Sequence, residues 1–298
     1  MHGNERIPEA NRRWQQYRLD VTNYIASECR HGERILILGA GGCDDLDLEW
    51  LLQKETEIWL SDINEEAMQE AITEVLEQAP QCRERIHRIK TDLIAMPDEL
   101  VQQYDAACLE GIDALNIWWQ KYIQEFTERA LMTKDILKEM RKSGVSVFDK
   151  VICLGLHSQL YVSLAVRTYQ LGNKLTEEVR KAAIQWLQQA NEMMAEKFLK
   201  EFPLLGRELY LGLEYTTMYA ENQEVETEII SQLESYGEEG LVNLKLPRVE
   251  GAWQMEQELW KQRQEHTLLI RDRQYLIWPF SEEKRYLMVI YSLLCYNG

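Results

Sequence analysis

The residues with the most pointed chemistry lie in the stretch LILGAGGCDDLDLEWLL, where Gly39 and Gly41 flank Ala40 directly behind an apolar run. Glycines at such a point permit a tight turn and let backbone N–H groups approach a ligand closely. Asp62 follows 21 residues after Gly41, at the end of a second apolar run, EIWLSD. A carboxylate there can accept hydrogen bonds from both hydroxyls of a ribose. Turn and carboxylate together describe a site for an adenosine-containing cofactor.

Charge discriminates between the cofactors such a site could take. A nicotinamide dinucleotide sets its pyrophosphate at the N-terminus of the first helix, where acids would repel it. Here the third glycine of a GxGxxG pattern is replaced by Asp44, and Asp45, Asp47 and Glu49 follow. S-adenosylmethionine carries no phosphate and presents a sulfonium and an ammonium, so an acid such as Asp44 can face its ammonium. Each of these acids is an equally good helix cap.

The elements that must position these groups alternate. An amphipathic opening segment carries Trp14, Tyr17, Val21, Tyr24, Ile25 and Cys29 at helical spacing, and residues 1–33 are expected to form a helical lid. ILIL from Ile35 is a short, uniformly apolar run of the kind found in central parallel strands. A helix near Asp45, a strand ending at Asp62, a helix over NEEAMQEAITEVLEQA, a strand RIHRI before Asp92 and a strand FDKVICLG to Gly155 continue the series. RELYLGLEY supplies a fifth strand, and QYLIWPF and YLMVIYSLL flank SEEK as an antiparallel hairpin. The expectation is a doubly wound α/β domain over residues 34–298, with a mostly parallel seven-stranded sheet and an antiparallel C-terminal strand. Helical insertions are expected at about 97–146, where Leu115, Trp119, Tyr122, Phe126 and Ala130 repeat at helical spacing, and at 173–205.

GAGGC behind ILIL, Asp62 at a strand end, Asp92 after the third strand and FDKVICLG before a helix together resemble successive motifs of the class I S-adenosylmethionine-dependent methyltransferase superfamily. The likeness covers roughly residues 34–171. It implies that Gly39, Ala40 and Gly41 line the methionine end of the cofactor, with Asp44 beside them, and that Asp62, followed by Ile63, holds the ribose. Asp92 and Leu93 would flank the adenine, and Leu154 and Gly155 would lie beneath the transferring methyl. The chain departs from the family at Ile37, where an acid is common, and at Cys43, where a glycine ends the loop. His157, two residues past Gly155, is the candidate base, with a packing or capping histidine as its plain alternative. Ser158 is expected to cap the following helix. No Asn/Asp-Pro-Pro-aromatic sequence, the mark of adenine methylation in nucleic acid, follows the fourth strand.

The chain carries nine tryptophans and fourteen tyrosines; Trp14, Tyr17, Trp118, Trp119 and Tyr122 fall in the helical segments that could roof a substrate pocket, although stripes of this kind equally build cores. Lysine and arginine total 33 against 50 aspartates and glutamates, giving a net charge of -17 that repels phosphate backbones and disfavours nucleic acid as a partner. Six dispersed cysteines without a CxxC pair, and a polar N-terminus, fit a cytoplasmic protein with reduced thiols. No apolar run approaches the roughly 18 residues that cross a bilayer, and no histidine pairing offers a metal site. The acceptor is expected to be a small molecule or a peptide, and a homodimer is one possible assembly. A catalytically silent cofactor-binding partner protein and an NAD(P)-dependent oxidoreductase stand as alternatives.

Overall fold

The computed structural model describes residues 9–94, 98–128, 133–242 and 244–296. Residue 97, the expected start of the first insertion, Ala130 and the opening residues of the expected lid lie outside them. Seven strands, β1 (Arg34–Leu38), β2 (Glu57–Asp62), β3 (Ile86–Lys90), β4 (Phe148–Leu154), β5 (Gly206–Tyr219), β6 (Leu268–Trp278) and β7 (Lys284–Cys295), form one sheet in the order β3-β2-β1-β4-β5-β7-β6. Pairing from β3 through to β5 is parallel, and β7 runs antiparallel to both β5 and β6. One reversed strand near an edge of an otherwise parallel sheet is the architecture expected from the sequence.

Because successive side chains of a strand point to opposite faces, each central strand feeds two cores. Leu36, Leu38, Val151, Cys153, Leu209, Leu211, Val289 and Tyr291 enter one of them. Ile35, Ile37, Ile152, Tyr210, Met288 and Ile290 enter the other. The second face is covered by α1 (Ala10–Arg13), α2 (Gln15–Ala26), α3 (Leu48–Leu52) and α4 (Glu65–Gln78). The first face is covered chiefly by α5 (Asp98–Glu110), α6 (Ile112–Glu128), α7 (Lys134–Lys142), the one-turn α8 (Leu156–Gln159), α9 (Val162–Leu171) and α10 (Glu177–Glu201). Beyond β5 come α11 (Gln223–Tyr236) and α12 (Glu239–Val242), which close a small third core with Met218 and Leu287, and α13 (Glu250–Gln264), which packs along α10.

Three details differ from expectation. The helix after the glycine turn begins at Leu48 rather than near Asp45, because Asp47 is its cap and accepts the Trp50 N–H at 2.9 Å. Strand β6 begins at Leu268, six residues ahead of Gln274, where the hairpin was expected to start; its RDR segment is polar because the strand lies at the sheet edge. Ser158 lies within α8, whose cap position is Gly155 at φ +59°, so it does not cap that helix. Among the described residues no helix is long and apolar enough to cross a membrane.

Candidate functional site

The carboxyl ends of β1, β2 and β4 meet where the strand order reverses around β1, the usual place for a ligand in an open parallel sheet. Behind β1 the chain turns with Gly39 at φ +67° and Gly41 at φ +48°, and Cys43 adopts φ +52°. That is the conformation a glycine takes without strain, so Cys43 holds a backbone geometry that favours glycine. A Cβ on Gly41 would meet nothing within 4 Å, so one side of the turn is open.

Asp62 ends β2 with both oxygens engaged: Oδ2 accepts the Gly41 N–H at 2.9 Å and Oδ1 the Asn64 N–H at 2.8 Å. These bonds fix the carboxylate beside the turn, and each oxygen retains a second lone pair for a hydroxyl donor. Ile63 next to it is 47% exposed, a free apolar surface at the mouth of the site. The neighbouring N–H groups of the turn are already used, Gly39 and Ala40 by the Ser61 carbonyl and Cys43 by the Ala40 carbonyl.

Asp92 follows β3, and its Oδ1 accepts the Ile94 N–H at 3.1 Å, while Leu93 is buried. The charge of Asp92 is felt by two buried phenols, Tyr122 from α6 and Tyr161 ahead of α9, whose hydroxyls bond each other at 2.6 Å. Burial first, and then among other effects the charge of Asp92, pushes both phenols well above their ordinary pKa. Trp118 is buried and donates Nε1–H to the Leu100 carbonyl at 2.8 Å; Trp119, half-buried, stacks on Trp186 at 5.9 Å. Trp118, Trp119 and Tyr122 line a small cleft with Tyr104, Tyr161 and Trp186, with room for about one water molecule. They pack on the first face, whereas Trp14 and Tyr17 are buried on the second, against Trp278 at 5.0 and 5.7 Å. The five aromatic candidates therefore do not share one roof.

The floor after β4 holds a group that sequence reasoning passed over. Glu214 on β5 is 1% exposed, and its Oε1 lies 3.0 Å from where a Cβ on Gly155 would stand. Its Oε2 is 3.2 Å from Nε2 of His157, also 1% exposed. A register shift in the pairing with β7 directly follows Glu214, and bulges of this kind re-aim side chains next to functional sites. The alternation Tyr210, Gly212, Glu214 was the available signal: it puts an acid at an inward position of a buried strand. Leu154 is half-buried and packs over Gly212. Asp45 is half-buried, yet the protein crowding it raises its carboxyl to about 7, mainly through desolvation and further through Asp44. Asp44 is half-buried, and its carbonyl accepts from Arg18 at 3.5 Å.

Asp62 thus sets a fixed carboxylate beside a turn that is open at Gly41, with exposed Ile63 next to it. At Gly39 a Cβ would stand 2.7 Å from Leu156 Cδ1 and 3.2 Å from its Cβ and Cγ, so the Leu156 side chain rests on the turn. Among the described residues no group of three or more His, Cys, Asp or Glu side chains is placed to hold a metal ion.

No protein-family profile matches the chain, and no curated protein matches it. Solved structures resemble it loosely. The S-adenosyl-L-methionine complex of Aeropyrum pernix fibrillarin is 11% identical over 95% of this chain and 76% of that one, with a TM-score of 0.39. A SAM-dependent methyltransferase from Aquifex aeolicus is 10% identical over 95% of this chain and 93% of that one, at 0.38. The S-adenosyl-homocysteine complex of M. capricolum TrmK is 10% identical over 91% of this chain and 67% of that one, at 0.35. The fold assignment rests on the strand order and register of the chain itself.

Proposed function

We propose that the chain binds S-adenosylmethionine and transfers its methyl group to a small molecule or peptide. The observation that carries this reading is the pairing of Asp62 with the Gly41 N–H at 2.9 Å, which ties a ribose-accepting carboxylate to a glycine turn. A pyrophosphate needs free N–H donors at a helix N-terminus. At this turn the N–H groups of Gly39, Ala40, Gly41 and Cys43 are spent on protein acceptors, and acids follow. The arrangement thus favours a cofactor that is cationic and phosphate-free over a nicotinamide dinucleotide.

In this reading Asp62 and Ile63 hold the ribose, Asp92 and Leu93 the adenine, and Gly39, Ala40, Gly41 and Asp44 the amino-acid end. When bound, the cofactor supplies an electrophilic sulfonium methyl. What the chain adds is placement and exclusion of water: Leu154 and Gly155 form the floor, and Tyr17 and Trp278 wall it from the second face. One observation, the seat of Leu156 on Gly39, favours a second reading, a silent cofactor-binding partner protein whose methionine end stays shut.

Thermal denaturation with S-adenosylhomocysteine, S-adenosylmethionine, NAD and NADP tests the assignment. Either adenosyl ligand, at a hundred times its Kd, should add about 2.7 kcal/mol and raise Tm by several degrees, while the dinucleotides leave it unchanged. A rise with NAD or NADP alone would overturn the reading, and binding without methyl transfer to any cell-extract component would select the silent partner.

A further inference from the structure

Helix α9 (Val162–Leu171) is apolar on two sides. Leu164 and Thr168 are buried and seat it on the first face, where the Thr168 and Tyr104 hydroxyls share a hydrogen bond at 2.6 Å. On the other side Val162, Val166 and Tyr169 are exposed, Tyr169 to 87%. Spacings of four and three residues set these side chains on one stripe of a helix, and Ala165 between them is exposed as well. A contiguous apolar stripe left in water marks a contact surface, whereas apolar residues exposed singly do not.

What can cover the stripe follows from charge. The chain carries 50 acids in 298 residues, yet none lies between Asp149 and Glu177, a run of 27 residues in which that density would place about four. The one charged side chain of α9 is Arg167, and Asp105 of α5 pairs with it at 2.5 Å. Apolar side chains exposed elsewhere, Ile63, Ile117, Val225 and Tyr236, each have an acid within four residues. The outer stripe of α9 is thus apolar and close to neutral on a molecule whose net charge is -17. Two such molecules repel each other across most of their surfaces and can approach only where acids are missing. A polyanion would need cations here, and a strongly cationic partner would find more acids anywhere else.

We propose that this stripe is the interface between two copies of the chain, an isologous contact in which α9 packs antiparallel on its counterpart across a twofold axis. With the axis beside Val166, Val162 of one copy lies toward Tyr169 of the other, so each apolar side chain of the stripe meets another. A single helix pair buries less than the roughly 1,200 Å² of a stable interface, so the dimer is reversible, with a dissociation constant of about 10–100 µM. The contact does not depend on which cofactor the chain binds.

Sedimentation velocity of the full chain between about 1 and 300 µM, in low and in high salt, tests this. The sedimentation coefficient is expected to rise from that of a monomer to that of a dimer. Added salt should strengthen the dimer, because screening weakens the repulsion between two acidic molecules and leaves an apolar contact intact. Val166→Glu and Tyr169→Ala should each weaken association at least about fivefold with Tm unchanged, since both side chains are exposed. Ile117→Glu, on α6, should leave association unaltered. A monomer at every concentration, a dimer that added salt dissociates, or a dimer unchanged by Val166→Glu would overturn the proposal, as would a loss of association in Ile117→Glu as large as in Val166→Glu. Should Val166→Glu lower Tm, Tyr169→Ala carries the same comparison.

Discussion

The contact between Leu156 and Gly39 is the sharpest mechanical feature of the site, and a double-mutant cycle measures it. In Gly39→Ala the new Cβ would stand 2.7 Å from Leu156 Cδ1 and 3.2 Å from Leu156 Cβ and Cγ, in a residue held at φ +67°. The left-handed backbone costs an alanine about 1–2 kcal/mol, and the overpacking adds about 1–3 kcal/mol. Leu156→Ala alone, from a half-buried position, should cost about 1–2 kcal/mol. In the double variant the contacts with Cδ1 and Cγ are gone and only the backbone penalty and the 3.2 Å approach to the Cβ that position 156 keeps remain, so the two changes should couple by about 1–2 kcal/mol. Urea denaturation followed by tryptophan fluorescence reads all four corners of the cycle. Leu156→Ala should also bind S-adenosylhomocysteine more tightly, because no side chain needs to leave the turn. Costs that add to within about 0.5 kcal/mol would refute the contact, and weaker binding by Leu156→Ala would refute its role as an obstacle.

Asp62→Ala removes the acceptor of the Gly41 and Asn64 N–H groups, at 2.9 and 2.8 Å, together with the proposed ribose partner. It should lower stability by about 1–3 kcal/mol, and calorimetry should find S-adenosylhomocysteine affinity at least about tenfold weaker; equal affinity in the folded variant would contradict the ribose placement. Asp45→Asn tests the carboxyl that burial raises from 3.8 to about 7. Since the folded state holds that proton more tightly, the group's contribution to stability is greatest below about pH 4 and is lost as pH rises toward 7. The asparagine variant should therefore match the unaltered chain at pH 4 and exceed it at pH 8 by on the order of 2 kcal/mol, below the roughly 4 kcal/mol of three full units. A Tm difference that does not vary with pH would contradict this.

The strand series was readable because central parallel strands are short, uniformly apolar and punctuated by glycine or acid, as ILILG, EIWLSD and FDKVICLG are. The reversed β7 was readable from the short SEEK connection. Helix α13 was missed although Ala252, Met255 and Leu259 sit at helical spacing, because its buried face also carries Gln254, Glu256 and Gln262. The overlay of Glu256 by Arg248 and Tyr291 explains that burial and is invisible in a linear reading. The aromatic candidates illustrate the same limit: helical periodicity predicts that Trp14, Tyr17, Trp119 and Tyr122 are inward, but not that Trp118 is buried while Trp119 is half-buried, nor that the first two pack on one sheet face and the others on the opposite one. Glu214 lies 57 residues beyond His157, so only the β4–β5 pairing brings them together.

A crystal structure of the chain with S-adenosylhomocysteine is the most direct measurement of the central claim. Both ribose hydroxyls are expected on Asp62, the adenine beside Asp92 and Leu93, and Leu156 withdrawn from Gly39. An adenosine lying elsewhere, or a dinucleotide whose diphosphate sits in the Gly39–Gly41 turn, would contradict it.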